Sequence, residues 1–329
     1  MMNNCYVIGD IETGKFALDD AIEIIQNRKN EKLIFLGDIY CSNESEETIK
    51  NINQIMDLLK IEKKIFIDKF ENLNDCAKII EIFQKLYLDK HIDVYSGPYK
   101  FKKDPEVMEY LKSELEELNK SNPENIFLFG NKETAIINDF RNVKGFNLLE
   151  INNEKIVEFR FQYNYKHISH EARCKFSCEE LNILINYLYM CHHIFYINKT
   201  LLSHIYLNAK RFSILNPSLT VNQVICGHNR CFGRYFDQYS KINYGIYLID
   251  ISHDDEHLIK NYLYLSPNEI KFYSLDKRAK EVLSLIMPAK ETFLQSFDSN
   301  PKLIPEGNIG TIYFRSSYLE KIKNGHSNE

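Results

Sequence analysis

Four polar residues in this 329-residue chain each stand one glycine behind a short apolar run. Asp10 follows "CYVIG", Asp38 follows "LIFLG", Asn131 follows "IFLFG" and His228 follows "VICG". Glu12 lies two residues past Asp10, and Asn198 closes the related run "IFYI". Carboxylates, amide oxygens and imidazoles are the ligands that hard and borderline divalent cations take. Aspartates can bridge two such cations, and a hydroxide held between them can attack phosphorus. Each Gly-Asp or Gly-Asn step alone is an ordinary turn signal. Their order, each behind an apolar run, is what suggests a shared site.

The elements that must position these residues follow from the pattern. Runs of four or five β-branched and aromatic residues ending at glycine read as buried strands. Between them, residues 16–28 and 46–60 place Phe16, Ala17, Ala21, Ile24 and Ile25, and then Ile49, Ile52, Ile55, Met56 and Leu59, at helical spacing. Alternating strands and helices imply βαβ units and a largely parallel inner sheet. Ligands gather at the carboxyl ends of strands in such sheets. That rule gathers Asp10, Glu12, Asp38, Asn131, Asn198 and His228 in one place.

Residues 61–125 read as a helical insertion or lid, and "KIVEFRF" at 155–161 and "YGIYLID" at 244–250 as strands of a second sheet. The division expected is a domain at 1–260 and a C-terminal extension at 261–329 with a helix near 278–287.

Net charge is −5, so a generic nucleic-acid surface is not indicated. The eight cysteines form no Cys-x-x-Cys pair, which argues for reduced thiols rather than a zinc ribbon or disulfide scaffold. Cys41, close to Asp38, lacks a Cys-x5-Arg phosphate loop and reads as an ordinary thiol. His167, His170, His192 and His193 read as surface or core histidines. The N-terminus lacks a basic leader with a long apolar core, and no apolar run approaches a membrane span. The expectation is a soluble protein of the cytoplasm or nucleus, with no membrane partner.

The series "GDIE", "GDIYC", "GNKE" and "ICGHN" resembles the calcineurin-like metallophosphoesterases, nearest the protein Ser/Thr phosphatases and diadenosine-tetraphosphate hydrolases. The resemblance implies an α/β fold, an αββα sandwich with the helical insertion and C-terminal extension added. It makes Asp10, Asp38, Asn131 and His228 metal ligands, with Glu12 where the family has a ligand histidine. Asn198 stands where another ligand histidine is expected, and His204, six residues on, competes for that role. Cys41-Ser42-Asn43 replaces the family's Asp-Arg-Gly, so the phosphate-gripping arginine is missing. Lys132 occupies the position of the histidine that acts near the leaving group.

An ammonium at Lys132 can neutralise Asp10, Glu12 or Asp38 in place of a cation, so an ion pair there is expected. Cofactor expectations are none, or one divalent metal (Mn²⁺ or Mg²⁺) at a weakened site. The expected role is a pseudophosphatase serving as a binding or scaffold subunit for a protein partner. The alternatives are a divergent metal-dependent phosphoesterase, and a structural component of a larger assembly such as a viral one.

Overall fold

The computed structural model describes residues 4–94, 104–165, 168–204, 220–221, 223–227, 231–236, 245–249, 259–267, 270–274, 291–295, 301–305 and 313–315. In chain order its first half runs β1 (Cys5–Ile8), α1 (Lys15–Asn27), β2 (Lys32–Phe35), α2 (Ser45–Leu58), α3 (Leu73–Asp89), α4 (Pro105–Ser121), β3 (Asn125–Leu128) and α5 (Asn131–Arg141). There follow β4 (Val143–Ile151), β5 (Glu154–Tyr165), β6 (Ile168–Phe176), α6 (Cys178–Met190), β7 (Cys191–His192), β8 (Phe195–Ile197) and β9 (Thr200–Ser203). The remaining strands are β10 (Gln223–Cys226), β11 (Cys231–Phe236), β12 (Gly245–Ile249), β13 (Ile259–Leu265), β14 (Ile270–Ser274), β15 (Glu291–Gln295), β16 (Pro301–Pro305) and β17 (Tyr313–Arg315).

The chain is a mixed α/β protein. One six-stranded sheet has the order β14-β13-β1-β2-β3-β7, in which β1, β2, β3 and β7 are parallel and β13 and β14 are antiparallel. A second has the order β17-β11-β12-β10-β9-β8, with β9, β10 and β12 parallel. β4, β5 and β6 form an antiparallel meander, and β15 pairs with β16.

The parallel strands are short and apolar because both faces are covered. Leu33 and Phe35 of β2 and Phe127 of β3 point into a core with α1, α2, α3, α5, α6 and the meander. Ile34 and Ile126, on the alternate pleat, are buried as well. Phe35 stacks on Phe127, and Phe140 of α5 packs against Phe83, Phe159 and Phe161.

α1 and α2 lie where their periodicity places them. The stretch 61–125 differs from a separate lid: Cys76, Ile79, Phe83 and Leu86 of α3 are part of the main core. The two strands expected to share a second sheet do not. β5 belongs to the meander and β12 to the second six-stranded sheet. The division expected at 260/261 falls inside β13, which is hydrogen-bonded to β1. The helix expected near 278–287 lies outside the described residues.

Candidate metal centre

Parallel pairing sets Ile8 beside Phe35 and Phe35 beside Phe127, so the loops beginning Gly9-Asp10, Gly37-Asp38 and Gly130-Asn131 emerge side by side. They have little room between them. A Cβ on Gly130 would lie 2.0 Å from Asp38 Oδ1 and 2.3 Å from Asp38 N, and Gly37 adopts φ +103° with Gly130 N pressed against it. Only glycine fits either place. Asp38 (φ 48°) and Glu12 (φ 41°) are themselves left-handed, an uncommon state for residues with side chains. The Asp38 carbonyl holds the turn by accepting from Ile11 N (3.1 Å) and Glu12 N (2.9 Å).

Into this corner comes His204, directly after β9 of the second sheet and fully buried. Its Nδ1 is 3.0 Å from the Leu36 carbonyl oxygen and 3.6 Å from Asp10 Oδ1. Its Nε2 is 3.0 Å from Asn131 Oδ1 and 3.4 Å from Asp38 Oδ2. Asp10 and Asp38 are each 2% exposed, and together with His204 they offer ligand atoms all within 4.8 Å of one another.

The Leu36 carbonyl can only accept, so it fixes the proton on Nδ1 and leaves Nε2 facing two oxygens. That arrangement needs a proton or a cation among the three atoms. Two buried carboxylates, an amide oxygen and an imidazole are a donor set suited to a borderline divalent ion, so the residues fit the group.

Glu133, part of the "GNKE" stretch but not a sequence candidate, organises the loops. Its Oε1 accepts from Ile39 N (2.9 Å), Tyr40 N (3.0 Å) and the Tyr187 hydroxyl (2.8 Å). Its Oε2 accepts from Asp38 N (3.0 Å) and Gly130 N (2.9 Å). Burial first, and then the nearby Asp38 carboxylate, push its pKa up to about 7. Its place three residues into α5, behind a glycine N-cap, was the readable signal. From behind, Asn261 of β13 donates to the Asp10 carbonyl (2.8 Å), while its own amide donates to the buried Asp20 carboxylate (2.8 Å).

Asp10, Asp38, Asn131 and His204 therefore converge. Glu12 is buried beside them, with Asn51 donating to its carbonyl (3.0 Å), but its carboxylate is outside the mutually close set. Lys132 requires a correction. Its backbone amide, in the first turn of α5, donates to Asp38 Oδ1 (3.0 Å), yet among the described residues its ammonium makes no ion pair. Among the described residues it is His204 that faces the two aspartates, Nδ1 toward Asp10 and Nε2 toward Asp38.

Asn198 is corrected too. It and Lys199, at φ 52° and 59°, form the two-residue turn of the β8–β9 hairpin. β8 runs antiparallel to β9, so its carboxyl end lies at the edge away from His204. His228 lies outside the described residues.

Cys41 is buried, and its thiol is held above the ordinary value chiefly by burial. Of the other histidines, His193 is fully buried with Nε2 2.6 Å from the Lys90 carbonyl, a core position.

Among the described residues, no helix is long and apolar enough to cross a membrane. Compared with the sequence profiles of known families, with curated proteins and with solved structures, the chain matches none.

Proposed function

We propose that this chain is a calcineurin-like metallophosphoesterase-type protein that keeps one divalent cation site and acts as a binding or scaffold subunit. The observation that carries the reading is the convergence of Asp10, Asp38 and His204 within 4.8 Å, with Asn131 beside them. Support for the αββα reading comes from two six-stranded sheets, one ending in the loops of Asp10, Asp38 and Asn131 and the other supplying His204.

Asp10, Asp38, Asn131 and His204 would hold the cation, Mn²⁺ in preference to Mg²⁺ because one ligand is an imidazole. Bound there, it would supply a Lewis acid for a phosphoryl oxygen. The chain's own residues favour holding over turning over. Cys41, Ser42 and Asn43 offer no guanidinium to grip a phosphate. Lys132 stands where the resemblance puts a histidine, and it lacks the imidazole that exchanges protons readily near neutral pH.

His204 also supports a second reading, a divergent phosphoesterase, because it supplies an imidazole that the motif order alone leaves missing. The two readings separate in one experiment. Protein purified without chelators is analysed for metal and assayed with bis-p-nitrophenyl phosphate and added Mn²⁺. Bound metal with no turnover supports the subunit. Turnover abolished by Asp38→Asn establishes the enzyme, and absence of metal under saturating Mn²⁺ overturns both.

A further inference from the structure

The outer face of the β4–β5–β6 meander carries a cation that has no counter-ion among the described residues. Arg160 of β5 pairs across the ladder with Arg173 of β6 on one side and Gly145 of β4 on the other. Like charges directly opposite each other destabilise a sheet. The carboxylates nearby serve other cations: Glu171 is 2.8 Å from Arg173, and Glu158 lies 3.7 Å from Arg173 and 3.8 Å from Lys175. Among the described residues Arg160 has no ion pair, and its Nε is buried with no hydrogen-bond partner.

Gly145 decides where that guanidinium lies. A Cβ there would sit 2.6 Å from Arg160 Nη2 and 3.4 Å from Cζ, so the absent side chain lets the group lie over β4. β4 is an edge strand that pairs only with β5 among the described residues, none of its nine residues is buried, and a bulge precedes Gly145. Edge strands with free hydrogen-bonding groups accept another strand.

A strand added along β4 would present alternate side chains to the outer face, one of them beside Gly145. From that position a carboxylate crosses the bare glycine to Arg160 and forms a two-pronged ion pair.

We infer that the β4 edge is a docking surface for an extended acidic segment of another protein, whose Asp or Glu beside Gly145 pairs with Arg160. The inference is independent of the metal reading.

The test uses the full chain and a ten-residue fluorescent peptide alternating Glu with Thr and Val. Binding is read by fluorescence anisotropy and the contact by hydrogen exchange of the β4 amides. Expected are slowed exchange across β4, about tenfold weaker binding to Arg160→Gln, and recovery when Arg160→Glu meets the same peptide with Lys for Glu. Methylating alternate peptide nitrogens should abolish binding. The proposal is overturned by no binding to the acidic peptide, by equal binding to wild type and Arg160→Gln, or by binding that leaves β4 exchange unchanged. Protection of β4 by raised protein concentration without peptide would identify a second copy as the occupant, and overturns it as well.

Discussion

Glu133 accepts from four backbone amides of the loops that shape the metal corner and from a phenol, that of Tyr187 on α6. In Glu133→Gln one oxygen becomes an NH₂ that must face two N–H groups. A buried donor left facing donors costs about 1–3 kcal/mol, so the urea midpoint should fall by that equivalent with the m-value unchanged. An unshifted midpoint would show that the loops hold without it. His204 and Lys132 make the complementary test. Mn²⁺ should raise the melting temperature of wild type, and His204→Ala should weaken metal affinity by about 10–100-fold or more, since even outer groups of a metal site matter that much. Lys132→Ala should leave the Mn²⁺ response unchanged, because its backbone amide rather than its ammonium serves Asp38. A larger Mn²⁺ response in that variant would revive the substitute-cation idea. At this scale Asp10, Asp38 and Asn131 were legible, because a glycine, a short polar side chain and a preceding apolar run are local signals. Glu133 and His204 were harder: one acts through backbone amides up to 95 residues away, and the other arrives from a different sheet.

α4 shows an element held by one buried polar knot. Glu114 is 6% exposed; its Oε2 accepts from His193 N (3.0 Å), and its Oε1 lies 3.4 Å from His192 Nδ1 and 3.2 Å from the Tyr110 hydroxyl. Burial alone would raise the Glu114 pKa, but the His192 and His193 rings hold it below the ordinary value. Burial lowers that of His193. Both shifts have the same sign in the pH balance. Below about 6.5 the unfolded chain takes up a proton that the folded His193 resists, and stability falls further as the Glu114 carboxylate protonates in more acid solution. Hydrogen exchange of the α4 amides should therefore accelerate, relative to α3, between pH 7.5 and pH 5.5 after correction for intrinsic rates. Glu114→Gln should raise α4 exchange already at pH 7.5. Equal pH responses in α3 and α4 would deny the knot a local role. Elements with strong periodicity, α1 and α2, were readable from sequence. The β8–β9 reversal was not, since Asn198-Lys199 looks like a strand-end ligand until the following "TLLS" pairs back on "FYI".

For the molecule as a whole, the question is whether residues after 260 are an appendage. Motif order alone stops near 250, because β13 carries no chemistry-bearing residue that a motif would mark. Its contribution is pairing: it covers the edge of β1 from Cys5 to Ile8. Its Asn261 carbonyl accepts from Gly9 N (3.0 Å), and its amide and side chain satisfy Asp20 and the Asp10 carbonyl. A chain ending at residue 260 would leave β1 an open edge and the fully buried Asp20 without its Asn261 amide. Losing a hydrogen bond to a buried carboxylate costs about 1.5–3 kcal/mol, the ladder between β1 and β13 is lost with it, and total domain stability is only about 5–15 kcal/mol. The truncated chain should therefore lose its cooperative melt and its Mn²⁺-dependent stabilisation together. Asn261→Ala separates support of the site from support of the sheet. It keeps the backbone bonds of β13 and removes only the side-chain donor to Asp10, so it should lower stability by about 1–2 kcal/mol while keeping a cooperative melt. Circular-dichroism melts of the three proteins, each with and without Mn²⁺, decide the matter. A 1–260 chain that melts like wild type would make the remainder an extension, whereas graded loss from Asn261→Ala to truncation makes β13 part of the platform on which Asp10 stands.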